Sequence, residues 1–199
     1  MKIRIYKFLT RTRVEGPGER ACIWVQGCPI RCPGCALPDT WPFEGGHDVD
    51  VEELAGAVLN ESHIEGVTFV GGEPFEQAEA LAQLGSVMQK HGLSVVTFTG
   101  YLFEMINKYD RPGWRELLSV TDLLIDGQYI KELSDLSRPW VGSLNQRYHF
   151  LTPRYKALQQ DLSKILNRIE VRIGSNGEIY VNGMADIKNI NQLFTSIND

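Results

Sequence analysis

A chain of 199 residues, 43% of them hydrophobic, is long enough for one domain with a full core and needs no disulfide framework. A net charge of -5 offers nucleic acid no basic footprint, and no apolar run is long enough to span a membrane. Met1-Lys-Ile-Arg-Ile-Tyr6 lacks the apolar core of a signal peptide, so a reducing cytoplasm is the expected compartment.

Lys2 to Phe8 alternates Ile3 and Ile5 with Lys2 and Arg4, which predicts a strand. Arg11 to Glu19 is charged and carries Gly16-Pro17-Gly18, a loop. Arg20 to Gln26 is a second strand, with Ala21, Ile23 and Val25 on one face and Cys22 and Trp24 on the other. Leu37 to His47 reads as irregular. Asp50 to Asn60 reads as a helix, with Asp50 as N-cap, Glu53 three residues on, and Leu54, Ala55, Val58 and Leu59 as its apolar stripe. Gly66 to Val70 is a short strand that leads into Gly71-Gly72-Glu73-Pro74. A helix runs from about Phe75 to His91, stopped by Gly92. Leu93 to Phe98 is a strand ending in Thr99-Gly100-Tyr101. Short helices follow up to Lys108 and over Trp114 to Val120. Leu123 to Ile125 is a buried strand ending in Asp126-Gly127. Strands alternating with helices predict a parallel sheet with crossover helices.

The texture changes after Thr152. Tyr155, Leu158, Leu162, Ile165 and Leu166 have helical spacing. Ile169, Val171 and Ile173 alternate, Gly174-Ser175-Asn176-Gly177 is a turn signal, and Ile179 and Val181 follow, which predicts a hairpin. Asp186 to Ile197 reads as a last helix. Residues 1–152 are therefore expected to form the main domain, with 153–199 an appendage packed on it.

Three thiols lie within Cys28-Pro-Ile-Arg-Cys32-Pro-Gly-Cys35, in a loop too rich in Pro and Gly for helix or strand. Thiolates gathered at one place need a metal to offset their charge. Iron–sulfur clusters take thiolates, normally four, so three leave one iron open to another ligand. A structural zinc or an electron-transfer cluster would want a fourth protein ligand. Cys22 is the candidate, but its C-x5-C spacing to Cys28 is not a usual zinc pattern. His47, His63, His91 and His149 have no metal-ligand spacing. Gly71-Gly72 lets another group approach bare backbone, although a plain strand-to-helix turn would look the same.

The C-x3-C-x2-C spacing resembles the signature of the radical S-adenosylmethionine (radical SAM) enzymes. In those enzymes a Gly-Gly-Glu segment at the place of Gly71-Gly72-Glu73 binds the methionine part of SAM. Further stretches narrow the likeness: Gly16-Pro17-Gly18-Glu19-Arg20, Gly27-Cys28, Thr40-Trp41, Thr99-Gly100-Tyr101, Leu124-Ile125-Asp126-Gly127 and Trp140-Val-Gly-Ser-Leu-Asn-Gln146. In this order, over residues 14 to about 150, they resemble the activating proteins of anaerobic ribonucleotide reductases.

The resemblance implies a partial (β/α) barrel, here with a C-terminal helix–hairpin–helix appendage. It implies a 4Fe-4S cluster on Cys28, Cys32 and Cys35, with SAM beside Gly34, Cys35, Ala36, Gly71, Gly72, Glu73, Thr99, Tyr101 and Asp126. It further implies a low-potential electron donor such as a flavodoxin, and a glycyl radical enzyme as the protein substrate, with a peptide or small molecule as the alternative. A non-catalytic iron–sulfur or zinc protein is the alternative of another class. Tyr101 could equally be a packed aromatic. Asp126 could bind a cation, orient substrate or cap its loop. Cys22 is expected in the core. Ala36-Leu37 departs from the activators, which usually carry an aromatic or His and then Asn. Gly34 departs from the aromatic common before the third cysteine across radical SAM proteins, though the activators share that glycine.

Overall fold

The computed structural model describes residues 1–186. Its centre is a run of parallel strands: β2 (Arg20–Val25), β4 (Gly66–Gly71), β5 (Ser94–Phe98) and β6 (Leu123–Asp126), adjacent in that order. Antiparallel strands flank this centre. On one side lie β1 (Lys2–Thr12) and then β3 (His47–Asp50), and on the other β7 (Arg147–Phe150). The seven strands form a mixed α/β sheet with β3 and β7 as its edges.

The predicted faces of β2 are the observed ones. Ala21, Ile23 and Val25 join Val67, Phe69, Val95 and Leu124 in a core under the helices. Those helices are α1 (Val51–Leu59), α2 (Ala78–Lys90), α3 (Phe103–Lys108) and α4 (Trp114–Ser119). α1 and α2 supply Leu54, Val58, Leu81, Leu84 and Met88 to the core, the stripes expected of amphipathic helices. The chain leaves each parallel strand at the same end of the sheet, as parallel strands require.

The opposite sheet face is covered as well. Val96, Leu123 and Ile125 pack with Trp140, Val141 and Tyr155, and with Leu158, Leu162 and Ile165. The predicted helix over this stretch is instead two 3-10 turns, Pro153–Gln160 and Leu162–Lys164. A 3-10 turn rises about 2.0 Å per residue against about 1.5 Å in an α-helix, so the same apolar residues reach further across the sheet. The predicted hairpin is present, as β8 (Ile169–Ile173) and β9 (Ile179–Gly183). It docks on the end of β1 and the loop after it through polar groups: Thr12 Oγ1 and the Arg13 N–H donate to Glu170, and the Gly183 N–H donates to Glu15. The expected last helix lies outside the described residues.

Other differences are local. β1 continues through Leu9 to Thr12, beyond the end of its alternation, because β2 supplies a partner along that length. β3 falls where the sequence is Pro- and Gly-rich, as an edge strand. Asp50 is the N-cap residue of α1, but its side chain makes no capping bond. The first turn after Pro74 is 3-10, and α2 starts at Ala78.

Candidate active site at the ends of the parallel strands

β2 delivers the chain into the cysteine loop through Gly27, whose φ of +95° favours glycine. The loop is closed at its neck. The Gly27 N–H donates to Thr40 O and the Cys28 N–H to Trp41 O, and the Gln26 amide donates to the carbonyls of Asp39 and Pro42. Within the loop, the Cys35 N–H donates to Cys32 O at 3.0 Å and the Leu37 N–H donates to Cys35 Sγ at 3.4 Å. Cys28 is buried, Cys32 and Cys35 are half-buried, and Ala36 is exposed. Burial pushes the Cys28 thiol up, and the N–H groups of Arg31 and Ile30 pull it back. Among the described residues, no three His, Cys, Asp or Glu side chains converge closely enough for a single metal ion. A multi-iron cluster takes each thiolate at a different iron, so its ligands stand further apart.

Cys22 is apart from this loop. It lies inside β2, fully buried between Leu9 and Thr68 on the neighbouring strands. Burial raises its thiol well above the ordinary range, and its charged neighbours are Glu15, Arg20 and Lys7.

The glycine turn after β4 is bonded directly to the start of the cysteine loop. The Gly72 N–H donates to Val25 O at 2.8 Å and the Glu73 N–H to Gly27 O at 2.9 Å. A Cβ on Gly72 would stand 2.4 Å from the Gly27 carbonyl oxygen, and one on Gly71 2.7 Å from the backbone of Trp24 and Val25. These glycines are thus required by the approach of one loop to the other. With those N–H groups engaged, the turn can meet a ligand through carbonyl oxygens, which suit an ammonium donor.

The Glu73 side chain is fully buried and faces away from solvent. Its carboxylate accepts from the Phe75 N–H, the Thr99 hydroxyl and the Gly100 N–H, at 3.0, 2.8 and 2.8 Å. It therefore ties the β4 loop to the β5 loop. Burial raises its pKa to about 7 against the pull of these donors. Tyr101 turns toward the helices: its hydroxyl donates to Glu76 at 2.7 Å and its ring lies against Trp114. Asp126 is fully buried, accepts from the Phe103 N–H at 2.7 Å and is paired with Arg147. Arg147 also bridges to Glu104. His149 Nε2 stands 3.2 Å from Asp126 but is not aligned for a hydrogen bond. Glu76 and Arg147 are charged partners of Tyr101 and Asp126 that the sequence does not single out. Their signal is modest: Glu76 sits three residues past the Gly-Gly-Glu motif, and Arg147 directly follows Gln146.

Four loops thus stand at the C-terminal ends of the parallel strands, with the cysteines on the first and the glycine turn on the second. Residues 14–149 match the family described as 4Fe-4S single cluster domain. The chain is 29% identical over 157 residues to the anaerobic ribonucleoside-triphosphate reductase-activating protein of Salmonella typhi, covering 75% of this chain and 99% of that one. Identity is 31% to the protein of the same name from Vibrio cholerae, over 70% of this chain and 92% of that one. This chain is a radical SAM activase. It is also 35% identical to the pyruvate formate-lyase 1-activating enzyme of Escherichia coli strain K12, over 72% of this chain and 58% of that enzyme.

As a radical SAM activase it uses a 4Fe-4S cluster and SAM. The residues present fit those groups. Three thiols share a loop whose backbone N–H groups point at sulfur, and a turn offering carbonyl oxygen is bonded to the base of that loop. The described residues contain no helix long and apolar enough to cross a membrane.

Proposed function

We propose that this activase generates the glycyl radical of an anaerobic ribonucleotide reductase or a similar glycyl radical enzyme. The observation that carries this reading is the direct hydrogen bonding of the glycine turn to the cysteine loop, in a chain similar over most of its length to reductase-activating proteins. Cys28, Cys32 and Cys35 would hold the cluster, and Cys22, buried inside β2, would take no part in it. The carbonyl oxygens of Gly71 and Gly72 would take the amino group of SAM, and Gly34, Ala36 and the loop at Thr99 would bound the rest of it. When bound, cluster and SAM supply a 5′-deoxyadenosyl radical that takes hydrogen from carbon.

The protein's own part is positional. The neck bonds of Gly27 and Cys28 fix where the cysteine loop begins. The Glu73 carboxylate fixes the glycine turn against the Thr99 loop, and the Asp126–Arg147 pair fixes the fourth loop. Orientation of this kind is worth several kcal/mol in a reaction that needs adjacent groups. We read the open sheet as a partial barrel whose mouth admits a loop of the partner, and residues 153–199 as an appendage of the same unit. A low-potential donor such as a flavodoxin in the cytoplasm would supply the electron.

The test is to reconstitute the cluster, add SAM, a strong reductant and the candidate reductase, and look for 5′-deoxyadenosine together with a protein radical by electron paramagnetic resonance. Radical on the reductase supports the reading. Deoxyadenosine formed without it would turn the search to peptides and small molecules.

A further inference from the structure

The stretch Trp140 to Gln146 has no role in the chemistry above, yet it is densely hydrogen-bonded. The Gln146 side-chain oxygen accepts from the N–H groups of Gly142 and Ser143, and its amide donates to Gly127 O. The Asn145 amide donates to Gln128 O. The Arg138 guanidinium donates to the carbonyls of Ser143, Leu144 and Gln146. These bonds tie together the two limbs of the loop between β6 and β7.

Tyr129 sits in that loop and reaches the cysteine loop. A Cβ built on Gly34 would lie 3.2 Å from Tyr129 Cε1, and a Cβ built on Gly142 would lie 3.2 Å from Cδ2 and 3.4 Å from Cε2. These are opposite edges of the ring. The ring is therefore slotted between a glycine of the cysteine loop and a glycine of the Trp140–Gln146 stretch, each lacking a side chain where the ring passes. The Lys131 stem covers Gly34 beside it, at 3.5 Å.

We propose that Tyr129 is a positioning residue for the cysteine loop, braced by the Trp140–Gln146 stretch and holding the segment Cys32 to Cys35 in the shape that receives the cluster. The proposal rests on the ligand reading of Cys28, Cys32 and Cys35. Groups of this kind, one layer out from a metal ligand, typically change metal retention about 10- to 100-fold when removed. Hydrogen bonds to sulfur and access of water also set cluster potentials. The contacts are made by ring carbons, so phenylalanine should replace tyrosine, whereas alanine should not.

The experiment uses the full chain with its cluster reconstituted, and follows the rate of iron release to a chelator and the midpoint potential of the cluster. Tyr129→Phe is expected within about twofold of the unaltered protein in release rate. Tyr129→Ala is expected to release iron about tenfold faster and to show a shifted midpoint potential, which a fault of global stability alone would not produce. Should Tyr129→Ala fail to fold, Gly142→Val tests the same contact from the other edge of the ring, with the same expected direction. Release at the unaltered rate in every soluble variant, or a Phe variant as leaky as Ala, would overturn the role. A Cys32→Ala protein that keeps a full cluster would overturn the ligand reading, and this proposal with it.

Discussion

At the scale of single residues, Glu73 is the most informative side chain. It belongs to the motif the sequence marks for SAM, but its carboxylate is taken up by Phe75, Thr99 and Gly100. Its raised pKa of about 7 carries a prediction. A carboxyl whose pKa is higher folded than unfolded holds its proton better in the native state. That contribution is whole below about pH 4.5 and is lost as pH rises through about 7. Between those values the loss is about 1.4 kcal/mol for each step of one in pH. Glu19 and Glu104 are lowered to about 2, so their effects fall below this window. Burial also raises Glu15, which adds to the slope in the same direction. The cluster-free protein should melt at a higher temperature near pH 5.5 than near pH 8, and Glu73→Gln should reduce that slope without abolishing it. Thermal melts across the range check it, and an unchanged slope would assign the effect elsewhere. The thiols give a second prediction. Cys28→Ala, Cys32→Ala and Cys35→Ala should each lose the cluster on iron and sulfide analysis, while Cys22→Ala should keep it. Loss in Cys22→Ala would restore a four-thiolate site.

At the scale of elements, the glycine turn and the cysteine loop are one unit. A side chain at Gly72 would collide with the Gly27 carbonyl, one residue before Cys28. Gly72→Ala should therefore reduce cluster content and SAM binding together. Iron content and the response of the cluster's paramagnetic spectrum to SAM, measured on one preparation, check this. Full iron with SAM binding lost would mean that the ligand, not the cysteine loop, needs the bare backbone. The sequence alone does not decide between these outcomes, because Gly71-Gly72 reads as room for a ligand or as a plain strand-to-helix turn. Periodicity reveals the central strands and the helices over them, since their stripes are set by burial on one face. It does not reveal β3 or β7, short edge strands whose residues are defined by what they pair with. Nor does it separate an α-helix from 3-10 turns over 153–164, where both place similar residues on the sheet. Of the site, the cysteines and the glycine turn are legible as motifs. Tyr129 is not, because its seat is made by two absent side chains, Gly34 and Gly142, more than a hundred residues apart.

At the scale of the molecule, the last question is whether the sheet stands without residues 153–199. Tyr155 is buried, and its hydroxyl lies 2.6 Å from Ser94 Oγ and 3.2 Å from an Arg20 nitrogen. Arg20 is itself fully buried at the start of β2, donating also to Pro17 O, Val67 O and Thr68. Removing Tyr155 would take one acceptor from a buried cation, a loss of about 1–3 kcal/mol. Leu158, Leu162 and Ile165 pack with Val96, Leu123 and Ile125, so their removal also uncovers the sheet face opposite the helices. Full burial of such a side chain is worth roughly 1.5–3 kcal/mol; these three are half-buried and give less, but together with Tyr155 the loss is comparable with the whole stability of an ordinary domain. A chain of residues 1–152 should therefore aggregate on expression, although every residue proposed to hold cluster or SAM remains in it. Tyr155→Phe in the full chain should stay soluble, keep its cluster and melt at a lower temperature. A soluble 1–152 fragment that cleaves SAM but fails on its protein substrate would show that the sheet face is stable uncovered and that the tail serves recognition, and one with full turnover of substrate would overturn both readings.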